Sequence, residues 1–243
     1  MAYVFPRALL REKTHAWNIA GVAVSGGQNA GASMPMLVRS DGGGFWTCKM
    51  SAISLSGRQG VNDTGRDRQK RSLLLWRALR QLAQGGVNAL VVPRNDALAR
   101  PWPAGIAQGL EISYADGTFF DDGVGFEQPI IDITCGAASL RANSLAITVN
   151  RAGELLGGES FSIDHPTWGW RMYEIATVDM ASSTSGTITF NPPLREAVAD
   201  GTRLEFDRPR CTMRLAQPSS MDLTVQPWTF NTADVDFVEA PPS

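Results

Sequence analysis

Apolar and polar residues alternate along short, turn-bounded stretches through much of the second half of the chain. Phe161 and Ile163 are interleaved with Ser160, Ser162 and Asp164, and Ile188 and Phe190 with Thr187 and Thr189. A two-residue period sends successive side chains to opposite faces, so these stretches predict half-buried β-strands. Residues 168–178, 202–206 and 211–215 continue the series, with breakers at Gly157-Gly158, His165-Pro166, 183–186, Pro192-Pro193 and Asp200-Gly201 between them. Strands at that spacing predict a small antiparallel sandwich or barrel. Residues 193–199 read as its one helical turn, with Pro193 in a first-turn position and Gly201 as the stop.

The first half mixes two periods. Trp17, Ile19, Gly21 and Ala23 alternate with Asn18, Ala20, Val22 and Val24, which predicts a strand over 16–24. Residues 34–39 and 45–55 predict two more around the turn Asp41-Gly42-Gly43-Gly44, with Trp46, Cys48, Met50 and Ala52 on one face of the second. From about 67 to 84 the apolar spacing lengthens to three and four residues. Leu75, Trp76, Leu79, Leu82 and Ala83 then fall on one side of a helix, and Arg68, Lys70, Arg71, Arg77, Arg80 and Gln81 on the other. Thr64 supplies a cap and Gly85-Gly86 a stop. Residues 88–93 read as a buried strand returning beneath the helix, which together with the preceding strands predicts an α+β unit. The Pro-, Ala- and Gly-rich stretch 94–109 reads as a linker, followed by strands over 110–114, 130–135 and 144–149, and later over 222–230 and 233–238. The expected fold is mainly β with one main helix: a sheet-plus-helix domain over 1–103, then an antiparallel β-sandwich or barrel over 104–243.

Charge sharpens that division. The net charge of −2 hides 14 Lys+Arg against 5 Asp+Glu in residues 1–103, and 8 against 19 in residues 104–243. Halves of opposite sign attract each other, stack copies head to tail, or present one basic surface to a partner. The acidic second half, and basic residues not interleaved with aromatic stacking platforms, argue against a nucleic-acid binder. No apolar run reaches the roughly 18 residues of a membrane span, and the first residues lack the layout of a signal peptide, so a chain kept in a cytoplasm is expected, with no membrane partner. Cys48, Cys135 and Cys211 are odd in number and form no CxxC pair, which predicts buried free thiols.

Candidate chemistry is sparse. The glycine-rich stretch 25–33 has neither the GK[ST] nor the GxGxxG context of a phosphate loop. His15 and His165 are the only histidines, no HExxH or GxSxG is present, and His165 before Pro166 reads as an exposed or locally bonded loop residue. Glu159 with Asp164, or Glu205 with Asp207, would make a glycosidase pair only at a suitable separation in space. Asp116, Asp121 and Asp122 suit a hard cation or an acidic turn, and their spacing misses the EF-hand pattern. Trp168, Trp170, Tyr173 and Trp228 either line a sugar platform or pack a core. No catalytic, cofactor-binding or metal-binding residue is assigned, and a non-enzymatic protein is expected.

The run Leu155-Leu156-Gly157-Gly158-Glu159-Ser160-Phe161-Ser162-Ile163, followed by Arg171-Met172-Tyr173-Glu174-Ile175, by residues 186–198 from Gly186 through Asn191-Pro192-Pro193-Leu194-Arg195, then Gly201-Thr202, Arg208-Pro209 and Met213-Arg214-Leu215, resembles a module of tail-tip proteins of bacteriophages and phage-like particles. The first half is similar in outline to the ring-forming domain of distal tail proteins. The resemblance implies a virion structural protein: a homohexameric ring between the tail tube protein and the hub protein of the tip, with a peripheral β-sandwich. It further implies a place in the virion tail after assembly in the host cytoplasm, with DNA only in transit. The polar helix side, Arg68, Lys70, Arg71, Arg77 and Arg80, is the expected assembly surface. A carbohydrate-binding β-sandwich for attachment to a host surface is the alternative reading.

Overall fold

The computed structural model describes residues 3–7, 9–28, 35–40, 42–55, 65–104, 111–112, 126–127, 129–225 and 231–240. In chain order the first elements are β1 (Tyr3–Val4), β2 (Thr14–Ala20), β3 (Ala23–Gln28), β4 (Pro35–Arg39), β5 (Phe45–Ser54), α1 (Gly65–Ala83) and β6 (Leu90–Pro93). They are followed by β7 (Glu111–Ile112), β8 (Phe126–Glu127), β9 (Asp132–Cys135), β10 (Ser144–Arg151), β11 (Ser160–His165), β12 (Gly169–Met180), β13 (Ser185–Asn191) and β14 (Thr202–Leu204). Two strands, β15 (Arg210–Leu215) and β16 (Thr232–Glu239), complete the series. The fold is mainly β, with α1 the one α-helix among the described residues.

Two compact units form, Met1–Pro93 together with Arg210–Ser243, and Arg94–Pro209. A single boundary after residue 103 is therefore replaced by a nested arrangement. The last two strands, which sequence patterning assigns to the second domain, return to the first, where β15 pairs with β6 and β16 with β5. Their alternation is that of any half-buried strand, and alternation alone does not say which sheet receives it.

In the first unit a six-stranded sheet runs β1-β6-β15-β16-β5-β2, with β1 parallel to β6 and the other neighbours antiparallel. Along β5, Trp46, Cys48 and Met50 are buried while Phe45 before them and Lys49 among them are exposed, so one face of the sheet meets the core. The buried line of α1 is Ser72, Trp76, Leu79 and Ala83, at the four- and three-residue steps of one helix face. Trp76 has no exposed surface, and its Nε1 donates to the Met221 carbonyl at 3.2 Å, which satisfies the one polar atom of a large apolar side chain. The helical path ends after Ala83: Gln84 turns to φ 47°, and Gly85, at φ 65°, continues in the left-handed conformation that glycine adopts without steric cost. The strand expected over 16–24 is two strands. Its break lies at Gly21-Val22, where Gly21 has φ 68° and the Ser40 amide donates to the Val22 carbonyl. The segment 222–225 has no regular structure, and the rest of the strand expected to follow it lies outside the described residues.

The second unit contains a sheet ordered β11-β12-β13-β10-β9-β14, antiparallel throughout. Just past β14, Glu205 forms a bridge with Ser162 of β11: Ser162 N–H donates to the Glu205 carbonyl at 2.9 Å and Glu205 N–H to the Ser162 carbonyl at 2.8 Å. That pair of bonds brings the last strand back to the first, so the sheet is nearly closed into a barrel. Inside it Phe161 meets Tyr173, Phe190 and Phe206, and Tyr173 meets Phe190, at ring-centroid distances of 5.4–5.6 Å. Ile133, Leu145, Ile147, Ile188 and Leu204 fill the space around the rings. Residues 193–199 are not a helical turn. Leu194 exchanges backbone hydrogen bonds with Arg141 and Ala142, and Val198 with Ala138, so the amides a helix would need are committed to a neighbouring segment. Both side chains are buried in the core, where Pro-first helix signals carry no weight.

Candidate assembly surface

Division by units preserves the charge contrast seen in sequence. The first unit holds 14 basic and 8 acidic residues, net +6, and the second 8 and 16, net −8. On α1 the expected basic face is partly visible: Lys70, Arg71 and Arg77 are exposed, Arg80 is half-buried, and the Arg68 side chain lies outside the described residues. Leu74, 49% exposed, lies between Lys70 and Arg77 at four- and three-residue steps, so the outward stripe of the helix is basic with an apolar centre.

A second feature was not anticipated from sequence. Strands β3 and β4 pair only with each other, through Ala23↔Arg39, Val24↔Val38, Ser25↔Leu37 and Gln28↔Pro35, and join neither larger sheet. Residues 22–27 and 36–39 are all exposed. Val24 is 55% exposed, Met36 48%, Leu37 74% and Val38 48%. The signal was legible in Met36-Leu37-Val38: three apolar residues in succession place apolar side chains on both faces of a strand, and a strand packed on one side has no use for that. The arm leaves the sheet at β2, one of its two edges. At the other edge β1 presents Tyr3 and Val4, 58% and 54% exposed, with Leu9 nearby in sequence at 54%.

A shallow groove of about 440 Å³ crosses the polar face of the first unit's sheet, lined in part by Ala16, Asn18, Lys49, Arg214 and Asp236. Its side chains carry both signs of charge, and Cys48, which also lines it, is buried.

The residues singled out for chemistry mostly have structural occupations. The Glu159 carboxylate accepts the Leu156 and Gly157 amides at 2.6 and 2.8 Å, Asp207 accepts those of Ile130 and Ile131 at 2.8 and 2.9 Å, and Glu205 that of Arg208 at 2.9 Å. Each is a loop clamp formed by a charge-assisted hydrogen bond. His165 is not an exposed loop residue. It ends β11 at 2% exposure, and its Nε2 lies 2.7 Å from the Tyr173 hydroxyl, which also accepts the Arg195 amide at 3.2 Å. Burial is the largest cause pushing the His165 imidazole down to about 4; the Glu196 carboxylate opposes the shift, and the Arg171 guanidinium adds to it. Arg171, itself buried, lies with its guanidinium carbon 5.0 Å from the centre of the Trp168 ring. His15 is exposed beside Glu12, with Nδ1 and Oε1 3.2 Å apart.

Of the aromatics considered for a sugar platform, Tyr173 is fully buried, Trp168 and Trp170 are half-buried, and Trp228 lies outside the described residues. Asp116, Asp121 and Asp122 lie outside them too. Among the described residues no group of three or more His, Cys, Asp or Glu is placed to hold a metal ion, and no helix is long and apolar enough to cross a membrane. The three cysteines are buried and form no disulfide, and burial, with Asp200 nearby, pushes the Cys135 thiol up to about 11, a range in which it is inert. Comparison of the chain with protein-family models and with curated proteins finds no match.

Proposed function

We propose that this chain is a structural component of a viral tail tip, assembled as a ring of identical copies, six in the form the resemblance implies, between the tail tube protein and the hub of the tip. The tail-tip assignment rests on the resemblance carried by residues 155–215. Self-assembly rests on the surface of the first unit. Its apolar arm, exposed on both faces, is the single observation that carries it, because a patch of that size on a soluble chain marks an interaction site. The basic stripe on α1 and the opposite net charges of the two units favour docking against an acidic neighbour. DNA passes such a ring without a dedicated site on this chain. The chemistry of the described residues, clamps and core contacts rather than a nucleophile with its base, supports a structural role, and no observation favours the glycan-binding alternative.

Labelled antibody against this chain is expected to mark the tail end of purified particles, and labelling elsewhere or nowhere contradicts the assignment. In the same preparations, replacing Lys70, Arg77 and Arg80 together with Gln is expected to lower incorporation and flatten its dependence on salt, since exposed charges act over about 10 Å at 0.1 M. The substitutions lie on the outward stripe and are expected to change stability by only about 0.5 kcal/mol or less each. Unchanged incorporation with an unchanged salt slope shows the helix face to be merely solvated.

A further inference from the structure

An isolated two-stranded hairpin in water is marginal, and this one has no side of its own to bury. Val22, Val24, Met36, Leu37, Val38 and Phe45, at the arm and its root, are all more than a third exposed. Together they present on the order of 500 Å² of largely apolar surface, within the range of patches that mark contact sites. That is about two thirds of the roughly 800 Å² that a stable contact covers on each partner. The exposed apolar residues Tyr3, Val4 and Leu9 belong to the other extreme of the same sheet, on and beside β1. Strand β1 pairs with β6 and has no second neighbour among the described residues, so its outer edge is open.

We propose that the β3–β4 arm of one copy docks on the β1 edge of the next, covering Tyr3, Val4 and Leu9 with Val24, Met36, Leu37 and Val38. Each copy then carries one donor and one acceptor at opposite edges of one sheet. Such a contact is heterologous: it repeats from copy to copy and closes into a ring if the rotation allows, or grows into a filament if it does not. The short β1 limits main-chain pairing to a residue or two, so burial of side chains supplies most of the affinity. The inference deepens the ring reading by naming its contact, and it takes from that reading only that the partner is a second copy.

The test uses two variants of the full chain, Leu37→Asp on the arm and Val4→Asp on the edge, with Tyr3→Asp as a second edge variant should Val4→Asp fold poorly. All three positions are more than half exposed. Sedimentation is expected to show the parent chain assembling and either variant alone falling to monomer, with association weakened at least about a hundredfold by a carboxylate buried in an apolar contact. Mixing the arm variant with the edge variant is expected to restore one contact, giving a 1:1 heterodimer and nothing larger, because each partner keeps one intact half. An edge variant that still dimerises alone, with no heterodimer in the mixture, indicates arm-to-arm pairing and overturns the proposal. A parent chain that stays monomeric up to about millimolar concentration also overturns it. The tail-tip reading falls separately: a heterodimer with no labelling of particles leaves the contact standing, and labelled particles with no heterodimer leave the reading standing.

Discussion

Phe161→Ala is expected to remove about 3–5 kcal/mol from the stability of the second unit, the usual cost of truncating a fully buried phenylalanine. Phe161 has no exposed surface and touches three other rings, Tyr173, Phe190 and Phe206, at centroid distances of 5.4–5.6 Å. Its strand β11 is also where the barrel closes, through Ser162. A cavity there weakens packing on both sides of the closure. Because a domain of this size holds only about 5–15 kcal/mol in all, the loss is a large share of what is available. Urea denaturation of the full chain, followed by near-ultraviolet circular dichroism, gives the answer. A loss below about 1.5 kcal/mol means that the aromatic cluster is not the core of the unit.

Acid is the second lever. Burial holds the His165 imidazole near pKa 4, below its ordinary value of about 6.5, so the unfolded chain takes up this proton more readily than the folded one. The stability contributed by the neutral ring is complete above about pH 6.5 and is lost as the pH falls through about 4. The difference corresponds to roughly 3 kcal/mol across that window. Protonation makes both ring nitrogens donors, and Nδ1 is buried without an acceptor. The charged ring also faces the buried Arg171 guanidinium; the Glu196 carboxylate outweighs that repulsion but not the cost of burial. Stability of the parent is therefore expected to drop between pH 6.5 and 4 by that amount more than in His165→Gln, which has no proton to gain. Parallel acid profiles for the two proteins contradict the assignment of this histidine as a buried neutral group.

Much of this architecture is visible in the chain itself, for reasons that particular residues make plain. The barrel strands β11 and β13 were legible because one of their faces meets the core, which forces Phe161 and Ile163, or Ile188 and Phe190, into a strict two-residue period. Helix α1 was legible through the spacing of Trp76, Leu79 and Ala83 and through Gly85-Gly86 behind it. Residues 193–199 misled because Pro193 and Gly201 are local signals, whereas hydrogen bonds from 138–142, some 55 residues away in the chain, decide the backbone. The return of β15 and β16 to the first unit is likewise a long-range choice. His165 reads as a loop residue because Pro166 follows it, but β11 runs on through it, opposite Gly169, and the two-residue period that turns Phe161 and Ile163 inward turns His165 inward with them. The basic face of α1 is legible as charge and spacing, whereas the apolar arm is written in Met36-Leu37-Val38 as a failure of the two-residue alternation that marks the packed strands.

Native mass measurement of the full-length protein tests the central claim most directly. Six copies of a 26.2 kDa chain give about 157 kDa, and a single species at that mass, lost in Leu37→Asp, is the expected result. A species of 26.2 kDa at every concentration, in the free protein and in material released intact from particles, contradicts it.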